Sequence, residues 1–221
     1  MIRFLSAVSA VLLLVTPVRS ADVVYSWKSS EKKIALTFDD GPHPVHTEEI
    51  LDILAEYNVR ATFFVIGQNM NFWGDLVRLE AEAGHEIGNH TYSHGNLKTM
   101  EEELIKKEIS DTESAVYEYA EVRTKLLRPP EGKLGEDLCR LAQENDYTVV
   151  CWSVDTRDWA HTPAEVIVNN VLSSVEGGDI ILFHDFVSGE SPTPEALRKI
   201  IPALLDEGYE FVTVSELIAG E

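Results

Sequence analysis

Ile34-Ala35-Leu36-Thr37-Phe38-Asp39-Asp40-Gly41-Pro42 is an apolar run that stops at two adjacent carboxylates and then turns. Its first five residues read as a short buried strand and Gly-Pro punctuates its end, so Asp39 and Asp40 fall at the strand's C-terminal edge. Proteins built from alternating strands and helices place reactive groups at such edges. Two neighbouring carboxylates in a partly enclosed site repel, and one takes up a proton unless a cation relieves the pair. The stretch therefore predicts an α/β fold and a cation whose other ligands stand at other strand ends.

Outward from it, strands and helices alternate along the chain. A helix begins near Thr47 with Ile50, Leu51, Ile53, Leu54 and Tyr57 as its apolar stripe, followed by a strand over 61–66. A helix over 72–83 should bury Leu76, Val77 and Leu79, and a short strand follows at 85–88. Thr99 with Glu102 forms a capping-box signature for a helix to about 119. A brief strand over 125–128 stops at Pro129-Pro130, a helix covers 134–145, and 147–154 is the most obvious strand of the chain. Thr162-Pro163-Ala164-Glu165 opens a helix to 174. After a strand over 179–185, Thr193-Pro194 opens a helix that Pro202 should kink, and a strand over 210–214 precedes a short terminal helix. This alternation of seven strands with helices means a parallel β/α sheet, open or closed.

A chain of 221 residues with 44% apolar content suits one domain. Residues 1–20 stand apart: Arg3, the apolar run 10–15 and Val18-Arg19-Ser20 before Ala21 read as a secretory signal peptide, cleaved or retained as an anchor. The remaining 21–221 form the predicted catalytic domain, exported to the exterior or the cell envelope. The net charge of −20 argues against nucleic acid as a partner. It fits a solvated surface or attraction to a cationic substrate or product. Cys139 and Cys151 are the only cysteines, as a disulfide or as two buried thiols.

Polar clusters follow the predicted strands: Asp39-Asp40, His90 with His94, Asp155 with Asp158, and His184-Asp185, while Arg128 ends a fifth strand. In a parallel sheet these ends share one face. On a helical turn His90 and His94, four residues apart, would present both imidazoles on one side, and two histidines with one carboxylate make an open zinc set. A divalent metal would lower the pKa of bound water towards about 7, and a carboxylate outside the ligand set could take that water's proton. His184, with an ordinary pKa of about 6.5, suits protonation of a leaving group. Arg128 could orient the base, or form a surface ion pair.

In order, Thr37-Phe38-Asp39-Asp40-Gly41-Pro42, His90-Thr91-Tyr92-Ser93-His94, Arg128-Pro129-Pro130-Glu131-Gly132, Asp155-Thr156-Arg157-Asp158-Trp159 and Leu182-Phe183-His184-Asp185 resemble the five motifs of the polysaccharide deacetylases of carbohydrate esterase family four. The resemblance spans almost the whole of 21–221. It implies a distorted (β/α) barrel of about seven parallel strands, with Asp39 as general base and Asp40, His90 and His94 holding one divalent metal ion, zinc or sometimes cobalt. It further implies His184 as general acid tuned by Asp158, Arg128 positioning Asp39, and the Glu131 amide N–H stabilising the oxyanion. Trp159 and Leu182 would wall the acetyl pocket, or simply pack in the core.

Glu131 departs from that pattern, because the family often carries an aromatic residue there that lines the sugar groove. A carboxylate should alter glycan stacking or favour an amine-bearing sugar. His43, His46, His85 and His161 read as solvated loop residues, and Phe72 with Trp73 as core. The expected activity is removal of N-acetyl groups from N-acetylglucosamine units of an acetylated glycan, in cell-wall peptidoglycan or a chitin-like chain. An O-acetyl xylan esterase and a catalytically silent glycan-binding domain are the alternatives.

Overall fold

The opening stretch forms β2 (Lys33–Asp39), whose residues 34–39 are all buried. Burial on both faces follows from its position, because β2 pairs in parallel with β3 (Thr62–Val65) on one side and β8 (Ile180–His184) on the other. Alternation then sends successive side chains to opposite layers. Ile34, Leu36 and Phe38 join the outer core under the helices, together with Phe63, Ile181 and Phe183. Phe38 lies 5.0 Å from Phe63 and 5.9 Å from Phe183 between ring centres. Ala35 faces inward with Phe64, Val150 and Ile180. Thr37 and Asp39 share its parity, so the strand delivers their polar groups to the barrel interior.

The computed structural model describes residues 23–27 and 31–220; the predicted signal peptide lies outside them. The remaining strands are β1 (Val23–Val24), β4 (Glu86–Asn89), β5 (Leu126–Leu127), β6 (Thr148–Val150), β7 (Val154–Asp155) and β9 (Glu210–Phe211). They order as β1-β6-β5-β4-β3-β2-β8-β7, with β9 beside the start of β2 and every pairing parallel. An isolated antiparallel bridge, Ser26 to Asp179, and the Trp27 N–H donating to the Gly178 carbonyl at 2.8 Å curl the β1 end of the sheet round to β8. The result is the expected distorted β/α barrel. Among the described residues seven α-helices flank it: α1 (His46–Tyr57), α2 (Met70–Glu82), α3 (Glu102–Ala120), α4 (Glu136–Glu144), α5 (Ala164–Ser174), α6 (Thr193–Asp206) and α7 (Val214–Ala219).

The structure corrects several local expectations. The apolar run 147–154 is two strands, since the chain leaves β6 beside β5 and re-enters the sheet as β7 beside β8. Thr99 does not cap α3: its hydroxyl donates to the Asn96 carbonyl, and Glu101 occupies the cap position. Thr162 likewise donates to the Arg157 carbonyl, and Pro163 precedes α5. A complete capping box stands at Thr213–Glu216, opening α7. α6 continues through Pro202. Trp73 has non-helical dihedrals within α2; Leu79 is half-exposed and Phe72 is 78% exposed, not core. Cys139 and Cys151 are both free thiols. Among the described residues no helix is long and apolar enough to cross a membrane.

Candidate active site

The inward parity of β2 brings Asp39 against Arg128, which directly follows β5 and is fully buried. Arg128 Nη1 donates to Asp39 Oδ1 at 2.7 Å and to Thr37 Oγ1 at 2.8 Å. Its Nη2 and Nε donate to the carbonyls of Cys151 and Val150, and its guanidinium lies 4.0 Å from the centre of the Phe64 ring. A buried cation needs this saturation of its donors, and the planar fork supplies it. Arg128 is thus an interior residue, not a surface ion-pair partner.

Asp40 turns its carboxylate to His90 and His94, while the second oxygen of Asp39 stands 3.7 Å from His90 Nε2. The Asp40 backbone is left-handed, φ 77°, and its carbonyl accepts from Asn69 Nδ2 at 2.8 Å. Gly41 is required here because a Cβ would strike the Asp185 carboxylate. Asp40 Oδ1 is buried without a hydrogen bond, 3.4 Å from His90 Nε2 and 3.3 Å from His94 Nε2. The two histidines do not sit on a helix. Thr91 and His94 adopt left-handed φ values of 69° and 55°, and this loop brings the rings together at 5.0 Å between centres. Two residues that sequence reasoning missed hold the loop. Asn89 accepts from Thr91 N and donates to the Ile109 carbonyl, and the Glu108 carboxylate accepts from the N–H groups of Tyr92 and Ser93 and from the Ser93 hydroxyl. Asn89 stands directly before His90; Glu108 lies on α3, where nothing local marks it.

One ligand atom from each of Asp40, His90 and His94 lies within 4.8 Å of the others. His90 Nδ1 donates to the Arg128 carbonyl at 2.8 Å, which leaves Nε2 as the atom facing Asp40. An unpartnered carboxylate oxygen beside two imidazole nitrogens, one with its tautomer fixed by a carbonyl, fits a divalent ion with open positions.

Across the cleft, His184 Nδ1 donates to Asp158 Oδ1 at 2.7 Å. Asp158 is fully buried and its Oδ2 accepts from His184 N and Thr193 Oγ1. Burial disfavours the imidazolium, yet Asp158, Asp39 and Asp40 outweigh it and raise the His184 pKa to about 9. Asp185 points away, accepts from Thr47 Oγ1 at 2.6 Å, and is pushed up to about 7 by burial and by Asp40.

These groups surround one cleft of about 470 Å³, lined by Asp39, Asp40, His90, His94 and His184 on its chemical side. Glu131, Trp152, Asp155, Trp159 and Leu182 complete it. Every predicted site residue is therefore in the cleft or holds a residue that is. His46 and His85 are buried rather than solvated, and His43 stacks on His46 and packs against Phe186; His161 is exposed as expected.

The polysaccharide deacetylase family profile matches residues 27–150. The chain belongs to that family. A peptidoglycan-N-acetylglucosamine deacetylase of Bacillus cereus is 41% identical over 198 residues, covering 89% of this chain and 92% of its relative. The crystal structure of the Bc1960 peptidoglycan N-acetylglucosamine deacetylase superposes with a TM-score of 0.87 at 40% identity, covering 90% and 94% of the two chains. A family 4 acetyl xylan esterase from Clostridium thermocellum, solved with a cobalt ion, gives 0.79 at 41% identity over 85% and 91%. This polysaccharide deacetylase is an enzyme, a hydrolase of carbohydrate esterase family four.

Proposed function

We propose that the deacetylase removes N-acetyl groups from N-acetylglucosamine units of an extracytoplasmic glycan, peptidoglycan or a chitin-like chain, with one divalent ion, zinc or cobalt, held by Asp40, His90 and His94. The observation that carries this reading is the division of the two adjacent carboxylates, Asp39 to Arg128 at 2.7 Å and Asp40 to the two imidazoles. When bound, the ion would polarise the substrate carbonyl and acidify water. Asp39, fixed by Arg128, takes the proton of the water whose oxygen bonds to the carbonyl carbon. His184, kept protonated by Asp158, gives its proton to the amide nitrogen as the C–N bond breaks, releasing acetate and a free amine. The Glu131 N–H assists the oxyanion, and Trp159 and Leu182 wall the acetyl methyl. The signal peptide predicted from the sequence of residues 1–20 supports export.

Metal analysis should find about one divalent ion per chain, and Asp39→Asn should keep the ion while losing ~10²- to 10⁴-fold in turnover. An active Asp39→Asn enzyme would sink the base assignment. Likeness to an acetyl xylan esterase favours ester cleavage on xylan as a second reading. Acetate release compared across peptidoglycan, chitooligosaccharide and acetylated xylan decides between them.

A further inference from the structure

The carboxylates of the cleft outnumber the positive partners around it. Among the described residues four line it, Asp39, Asp40, Glu131 and Asp155, and no Lys or Arg side chain does. Asp39 is matched by Arg128 from beneath, and Asp40 belongs with the two histidines. Glu131 and Asp155 remain, and neither side chain has a part in the proposed reaction. The backbone fixes Glu131, since φ is 55° there and 64° at Gly132, where a Cβ would press on the Trp152 ring at 3.0 Å. Its side chain is 63% exposed and meets Lys133 Nζ at 2.5 Å, a solvent-screened pair that a competing cation can displace. Asp155 Oδ1 accepts from Arg157 N at 2.9 Å, which holds the carboxylate in place.

Asp155 also belongs to a second groove of about 490 Å³ beyond β7, with Ser153, Asn170, Ser173, Glu176 and Asp179. Among the described residues no Lys or Arg lines that groove either. The groove is polar and acidic, and it meets the reaction cleft at Asp155. Trp152 and the 52% exposed Trp159 add aromatic faces, which attract cations as well as sugar rings.

From this arrangement we infer that Glu131 and Asp155 select for a glycan that already carries a free amine, a protonated glucosamine unit beside the N-acetylated unit being cut. The inference rests on the proposed activity and narrows its substrate. It makes the enzyme's own product a better substrate than the untouched chain, so deacetylation spreads from units already converted.

The test uses three tetramers: fully N-acetylated, one with a single glucosamine unit, and fully deacetylated. In mildly acidic buffer, where the amine is charged, acetate release should show kcat/KM about threefold to tenfold higher for the amine-bearing tetramer than for the acetylated one. That ratio should fall towards one in Glu131→Gln with Asp155→Asn and at high salt, and rise in Lys133→Ala, which removes the competing cation. Calorimetry with the fully deacetylated tetramer reads the same carboxylates without turnover, and its affinity should drop in the double variant. Equal kcat/KM for the two substrates, or calorimetric affinity indifferent to the double variant and to salt, overturns the inference. Absence of acetate from every tetramer would instead remove the proposed activity, while calorimetry still judges the amine selectivity.

Discussion

His90 and His184 are the same residue on opposite flanks of one cleft, and their second nitrogens meet different partners. His90 Nδ1 gives its proton to the Arg128 carbonyl, a neutral dipole that fixes the ring without adding charge. His184 Nδ1 meets the Asp158 carboxylate, a full charge locked by other donors. A carbonyl partner leaves an imidazole a lone-pair donor; a carboxylate partner makes it a proton carrier that stays charged to about pH 9. The chemistry of each flank is thus set one bond behind the cleft.

The strongest way to break this comparison is to remove each ring. His184→Ala should lower kcat by ~10²- to 10⁴-fold yet bind the ion as before, whereas His90→Ala should lose the ion in equilibrium dialysis. Equal ion loss in both variants would erase the distinction. Next in size, Arg128→Met should destabilise by about 3–5 kcal/mol in urea unfolding, because Asp39 stays buried without its cation. Asp158→Asn sharpens the comparison by giving His184 a neutral partner. The alkaline limb of kcat/KM against pH should descend from about 9 towards the ordinary ~6.5. The same pair ties stability to pH: with the folded pKa above the unfolded one, its contribution is complete below ~6.5 and vanishes as pH rises through about 9.

The smallest expected effect lies beneath the site. Glu80 is fully buried, neither carboxylate oxygen has a hydrogen bond, and burial with the nearby Asp185 raises its pKa well above the usual range. Glu80→Leu should stabilise by about 1–3 kcal/mol, seen as a higher Tm. Because the folded carboxyl holds its proton to higher pH than the unfolded one, the wild type should lose stability as pH rises above ~4.5, and the variant should lose less.

Glu80 also illustrates what sequence could not reveal. Its spacing from Leu76 and Val77 is that of a buried stripe, but a charged residue on a stripe reads as a face turned to water. The chemical groups were legible because each ends an apolar strand, where polarity needs a reason. Their supports were not, because Glu108 and Thr193 reach the site only through tertiary contact. Local signals failed where a competing partner existed: the Thr99 hydroxyl found the Asn96 carbonyl instead of the helix end. The run 147–154 looked like one strand because periodicity records burial and is blind to which neighbour lies alongside. The true box at Thr213 was hidden inside an expected strand.

Arg128 joins the carbonyls at the end of β6 to the carboxylate ending β2, so one guanidinium spans the barrel interior and aims the proposed base. Attempts to redesign this scaffold meet a constraint there. Random variation at Arg128 would be discarded at the folding stage before any change in chemistry could be seen. The surfaces formed by Glu131, Asp155 and Trp159 line the cleft with exposed side chains and carry no comparable structural duty. Libraries aimed at new glycans should be confined to those surfaces, where an altered preference can be recovered without first repairing the fold.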